Sequence, residues 1–198
     1  MKYVNQFLQL NCAEELVTLF GTYNNAIKEI SESVAAWVHC VQLNDFKNVE
    51  NNLHIGDGSR CSTAALFAFM HKSTNISIDP YINMKIVNKF INKFNVKGLL
   101  TSCSKYQDIK LDDAIQGLYN IILVHSHVNI YEISKHFPDW KYMYINPCCM
   151  REHQIFDFKY MKKNNIKCLK FGKDKNILSP MNEVIIYEKV KIEGNINV

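Results

Sequence analysis

Nowhere in this chain does an apolar run approach the roughly 18 residues that a membrane-spanning helix needs. The N-terminus, MKYVNQFLQLNCAEEL, lacks both a long apolar core and a small-residue cleavage site, so it does not read as a secretory signal. Loop punctuation is scarce: seven glycines and four prolines in 198 residues, with no low-complexity linker and no internal repeat. That excludes collagen-like, solenoid and disordered-linker architectures. Strong charge is missing too. A formal charge of +4 and a pI near 8.6 allow an anionic partner, but without the clustering usual in nucleic-acid domains. Seven cysteines is an odd number, and only Cys148 and Cys149 are adjacent. With no secretory signal, these thiols are expected to be reduced. The expectation is an intracellular, cytoplasmic protein without a membrane span.

The chain does contain enough apolar residues, 47% of the total, for a sizeable core. Residues 6–43 show helical periodicity: Leu16, Leu19 and Phe20, then Ile27, Ile30, Val34 and Trp37, with Gly21 dividing two helices. Trp37 and His39 read as packing residues, on helices that could form a lid. From Leu53 onward short apolar runs alternate with helical patterns. The runs predict strands at 53–56, 76–79, 97–103, 120–125, 141–146, 167–172 and 183–190, and helices near 62–72, 82–95, 110–117, 129–136 and 153–165. The last two strands are joined by KDKNILSP, without a helix, which favours an antiparallel return. The fold class is therefore α/β: a Rossmann-like, doubly wound seven-stranded sheet, mostly parallel with an antiparallel last strand, plus N-terminal helices. Residues 1–50 form a helical extension and 51–198 the cofactor-binding domain. Lys85, Lys89, Lys93 and Lys97 recur every fourth residue and form a solvated helix face.

In an open parallel sheet, ligands bind beyond the carboxyl ends of the strands. Gly56 and Gly58 fall just past the first strand, where backbone without side chains permits a tight turn and close approach. The next helix begins near Ser62-Thr63 with its N–H groups free. Asp79 ends the second strand, where a carboxylate can clasp both hydroxyls of a ribose. This is a nucleotide-type cradle. A dinucleotide fingerprint would place a third glycine where the chain has Cys61, and no second mononucleotide-binding half follows. An NAD-dependent oxidoreductase is thus the lesser alternative.

The glycine turn HIGDGS, the strand end SIDP and the terminal strand pair resemble the class I SAM-dependent methyltransferase superfamily. The resemblance covers about residues 51 to 190 as an architecture with short motifs. It implies S-adenosylmethionine as cofactor, with Gly56, Asp57, Gly58 and Ser59 beside its methionine part. It also implies Asp79 on the ribose, and Ser102 and Ser104 by the adenine. The acid usual at the third strand has no clear counterpart, since TSCSKYQD offers only Asp108.

Two further strand ends are chemical. HSHVN closes the fourth strand with His125 and His127, and NPCCMREH closes the fifth with Asn146, Cys148, Cys149 and His153. Paired segments of this kind are similar to one RNA methyltransferase-like branch of the superfamily, and a nucleic-acid acceptor is slightly favoured. Three chemistries fit these residues. A histidine could orient or deprotonate the acceptor. A cysteine thiolate could add to a pyrimidine, as in 5-methylcytosine enzymes. The His and Cys side chains could surround zinc, although adjacent cysteines are awkward ligands. Against all three stands a plain structural role, with the cysteines as small hydrophobes and the histidines as strand caps. A methyltransferase-like fold can also serve as an inactive binding module.

Overall fold

The computed structural model describes residues 1–110 and 117–190. The chain opens with α1 (Lys2–Leu8), α2 (Ala13–Phe20) and α3 (Ala26–Cys40). Gly21 caps α2 as the sequence suggests, but a turn at residues 9–12 adds a break, so this region holds three helices rather than two. Asn25 starts α3 by accepting the Lys28 N–H at 3.4 Å.

Seven strands follow: β1 (Asn51–Ile55), β2 (Thr74–Ile78), β3 (Leu99–Ser102), β4 (Tyr119–Val124), β5 (Trp140–Asn146), β6 (Ile166–Lys173) and β7 (Glu183–Lys189). They form one sheet in the order β3-β2-β1-β4-β5-β7-β6. β7 enters between β5 and β6 and runs antiparallel to both, and the remaining pairs are parallel. Strand order therefore reverses between β1 and β4, which is where an open α/β sheet leaves a crevice at its carboxyl edge.

Helices α4 (Ser62–Met70), α5 (Met84–Phe94), α6 (Ile130–His136) and α7 (Phe158–Lys163) link the strands. The helix expected at 153–165 is shorter: a 3-10 turn at Arg151–Gln154 comes first, then an extended link. The link is fixed because Phe156 is buried and Asp157 caps α7 by accepting the Tyr160 N–H at 2.8 Å. The helix expected at 110–117 falls mainly outside the described residues. Lys85, Lys89 and Lys93 of α5 and Lys97 after it are exposed, as their spacing suggests. No helix among the described residues is long and apolar enough to cross a membrane.

α4 decides why the N-terminal helices are needed. Its sequence, STAALFAFM, is apolar all round, and such a helix must be covered on every side. The sheet covers one face, while α2 and α3 cover the other. Phe67 of α4 meets Trp37 of α3 edge-on at 5.1 Å. α3 is tied to the β6–β7 loop as well: His39 Nε2 lies 2.9 Å from Asp174 Oδ2, and Tyr3 donates to the same carboxylate. α6 and α7 cover the opposite face of the sheet, over Leu53, Ile121, Leu123 and Met143.

Toward the amino edge, four buried polar residues hydrogen-bond to one another across neighbouring strands. Asn52 Nδ2 donates to Asn75 Oδ1 at 3.0 Å, and Asn120 Nδ2 donates to Asn52 Oδ1 at 2.9 Å. His54 Nε2 lies 3.1 Å from the same Asn75 oxygen, which fixes that nitrogen as the N–H donor. The ring is 1% exposed and packs on Phe67, and burial pushes its pKa down to about 4. The unfolded chain, with a histidine near 6.5, binds this proton first as pH falls. Stability from this site is therefore complete above about pH 6.5 and is lost as pH falls toward 4. The expected loss is on the order of 3 kcal/mol. Urea unfolding of the wild type and His54→Gln between these pH values tests this. The wild type should show the steeper pH dependence, and parallel curves would remove His54 as the cause.

Candidate functional site

The crevice at the carboxyl edge is a cleft of about 430 Å³. Its walls are Ile55 and Gly56 at the end of β1, Ile78 to Tyr81 at the end of β2, Lys105 to Gln107 beyond β3, and His125 to Val128 after β4.

The glycine turn after β1 is held from two sides. Gly56 has φ +72, and a Cβ on it would lie 2.3 Å from Ser126 Oγ, so β1 and β4 can approach this closely only with glycine there. Gly58, at φ +75, donates its N–H to Asp79 Oδ2 at 3.0 Å. The other oxygen, Oδ1, accepts the Tyr81 N–H at 2.7 Å. Each carboxylate oxygen keeps a further lone pair for a ligand hydroxyl.

Asp57 behaves differently from its glycine neighbours. Its carboxylate turns toward the start of α4, accepting from Thr63 N at 3.1 Å, Ala64 N at 3.0 Å and Ser77 Oγ at 3.3 Å. The residue at the usual capping position, Cys61, has left-handed backbone and supplies no side-chain cap, so Asp57 takes over that task. Burial pushes the Asp57 carboxyl up to about 7, against the three donors. Ser59 contributes its carbonyl to Asn83 N at 2.8 Å.

Beyond β3, Ser102 and Ser104 hydrogen-bond to each other at 2.7 Å, and the side chains lining the cleft are those of Lys105, Tyr106 and Gln107 instead. Asp108 closes a 3-10 turn and is not among the lining residues.

The β4 and β5 ends meet beside the cleft. His125 has left-handed backbone (φ 53), is held by its N–H to Asn146 O at 3.0 Å, and lines the cleft with His127. Burial lowers the His125 pKa below its ordinary value, with Lys28 adding to the effect. Asn146 is buried, and its amide nitrogen is spent on structure: Nδ2 donates to Met181 O at 3.1 Å and Glu183 O at 2.8 Å, anchoring the start of β7, while Oδ1 has no partner among the described residues. Cys148 is buried and Cys149 exposed. His127 Nε2 lies 3.9 Å from Cys149 Sγ, whereas His153 turns to Glu152.

Sequence reasoning missed Glu32. It is fully buried on α3, paired with Lys28 at 2.9 Å, and its Oε1 lies 3.9 Å from His125 Nδ1. Burial raises its pKa. Its signal was slight: Ser31-Glu32-Ser33 stands between Ile30 and Val34, in the stretch of α3 that is buried from Ile30 to Ala36. Tyr23 was also missed. Its hydroxyl lies 3.3 Å from Ser62 Oγ and about 4.0 Å from where a Gly58 Cβ would stand, so the α2–α3 loop roofs the turn.

No family model and no curated sequence matches the chain. Solved structures do. A protein from Pyrococcus horikoshii described as a candidate RNA methyltransferase superposes with a TM-score of 0.60 at 8% identity, over 92% of this chain and 100% of that one. A point variant of MtNAS in complex with S-adenosylmethionine gives 0.56 at 12% identity, over 96% and 72%. The geranyl diphosphate C-methyltransferase of Streptomyces coelicolor, solved with S-adenosyl-L-homocysteine, gives 0.56 at 8%, over 85% of both chains. The chain has the class I methyltransferase fold. Within that fold, the glycine turn, Asp79 and the His125–His127 segment all stand at the carboxyl edge, where strand order reverses.

The Asp57 cap makes a prediction that needs no ligand. Asp57→Ala should lower unfolding free energy by about 1–3 kcal/mol, since it orphans two helix N–H groups. Denaturant unfolding measures it, and an unchanged midpoint would show that the cap is dispensable.

Proposed function

We propose that the chain binds S-adenosylmethionine in this cleft and transfers its methyl group. The observation that carries the reading is the Asp79 clamp on the glycine turn, opening into a cleft large enough for a nucleoside. The fit is supported by an unsatisfied polar group in the wall: Ser126 Oγ is buried with no hydrogen-bond partner among the described residues. Bound S-adenosylmethionine would supply an electrophilic methyl on its sulfonium.

The protein's part is mainly alignment. Asp79 would hold the ribose hydroxyls with its remaining lone pairs, and the backbone of Gly56 and Gly58 would border the methionine part. Lys105 to Gln107 would flank the base. His125, neutral at physiological pH because burial lowers its pKa, could accept a proton from an acceptor or orient it. The acceptor class is not selected by the fold, since its structural neighbours include a candidate RNA methyltransferase and an enzyme named for geranyl diphosphate. A nucleic-acid acceptor stays slightly favoured by the pairing of the two chemical strand ends.

Calorimetry with S-adenosylmethionine, S-adenosylhomocysteine and NAD tests the assignment. The first two should bind and NAD should not; NAD alone binding would favour the oxidoreductase, and none binding an interaction module. Asp79→Asn, which keeps the shape but loses the charge, should weaken S-adenosylmethionine at least ~tenfold. Equal affinity would show that the ribose is held elsewhere. With any acceptor that supports turnover, His125→Ala and His127→Ala should reduce the rate far more than the cofactor affinity. Full activity in both would remove them from the chemistry.

A further inference from the structure

The β5 end contains chemistry that methyl transfer does not require. Adjacent residues of a strand point to opposite faces, which is why neighbouring cysteines make awkward common ligands. Here β5 ends at Asn146, Pro147 follows, and the chain turns through Cys149 and Met150. The turn brings both sulfurs to one side, toward the loop after β4. The ligating atoms of His127, Cys148 and Cys149 all lie within 4.8 Å of one another. A tetrahedral zinc site, with Zn–S about 2.3 Å and Zn–N about 2.0–2.1 Å, places neighbouring ligand atoms roughly 3.5–3.8 Å apart. The His127–Cys149 separation of 3.9 Å is already close to that. Both of those side chains are exposed and can rotate inward, while the third ligand, Cys148, is fixed in the wall.

The fixing is specific. Gln154 bridges the two loops, accepting from Cys148 N at 3.1 Å and donating to Ser126 O. Cys148 Sγ donates to Ser126 O at 3.4 Å and accepts the Met150 N–H at 3.4 Å, so the sulfur keeps one backbone donor when a metal displaces its proton. His125 N to Asn146 O at 3.0 Å fastens the same two strand ends a second time. We propose that His127, Cys148 and Cys149 form a binding site for a borderline-soft divalent cation of the zinc type, with its fourth position open beside the cofactor cleft. Two thiolates neutralise the ion's charge, and the imidazole completes a donor set with no carboxylate, which disfavours magnesium and calcium. Three protein ligands with an open position is the arrangement of a site that takes water or a substrate atom rather than a closed structural one. Binding releases the proton of each thiol. The site does not depend on whether S-adenosylmethionine binds.

The test uses the reduced full chain, titrated with cobalt(II) as a spectroscopic stand-in and then with zinc. The expected result is thiolate-to-cobalt charge-transfer absorption that saturates at a single equivalent and disappears on adding zinc. Cys149→Ser and His127→Ala should each weaken zinc binding at least as much as the ~10–100-fold cost of losing an outer-shell partner. Cys168→Ser, removing an exposed thiol on β6, should leave binding unchanged. Because Cys148 is buried and its variants could fail to fold, the two exposed ligands decide the matter. Absence of the charge-transfer band, or a band indifferent to both substitutions, overturns the site.

Discussion

The Asp79 carboxylate holds two turns at once, and the cleft depends on it. With one oxygen on Gly58 N and the other on Tyr81 N, it fixes the loop after β1 against the loop after β2. The close approach of Gly56 to Ser126, open only to a residue without Cβ, then lets the same loop lie against the end of β4. Three strand ends are thereby set in register around one space. Neither contact tolerates much change: the first needs a short acceptor at the end of β2, the second needs a residue without Cβ.

The N-terminal helices act on this space as well as on the core. α4 begins directly after the glycine turn, and its all-round apolar surface would be unstable if left open to water. α2 and α3 bury it. In doing so they bring Tyr23 over the turn and Glu32 against His125. The helices expected to be a possible lid are thus packed into the fold, and they set side chains beside the glycine turn and His125.

The alternation of strands and helices was readable because parallel strands buried on both faces leave continuous apolar runs. The same pattern located the carboxyl edge, and with it Gly56, Gly58, Asp79, His125 and His127. What the sequence did not reveal were side-chain destinations. Asp57 sits between two glycines of the turn but serves α4, because Cys61 left the helix start without a cap. Asn146 lies at a chemical strand end but its amide nitrogen is occupied with anchoring β7, a strand distant in sequence. Glu32 lay inside a helical pattern where periodicity marks burial without saying what a buried acid faces. The position of β7 between β5 and β6 followed from no local signal, because an antiparallel return can pair on either side of its predecessor.

The most direct measurement of the central claim is a crystal structure of the chain with S-adenosylhomocysteine. The account predicts the ligand across the carboxyl ends of β1 and β2, with its ribose hydroxyls within hydrogen-bond distance of Asp79. It also predicts that the sulfur faces the His125–His127 segment. A ligand seated away from Asp79, or with its sulfur turned from the β4 end, would contradict it.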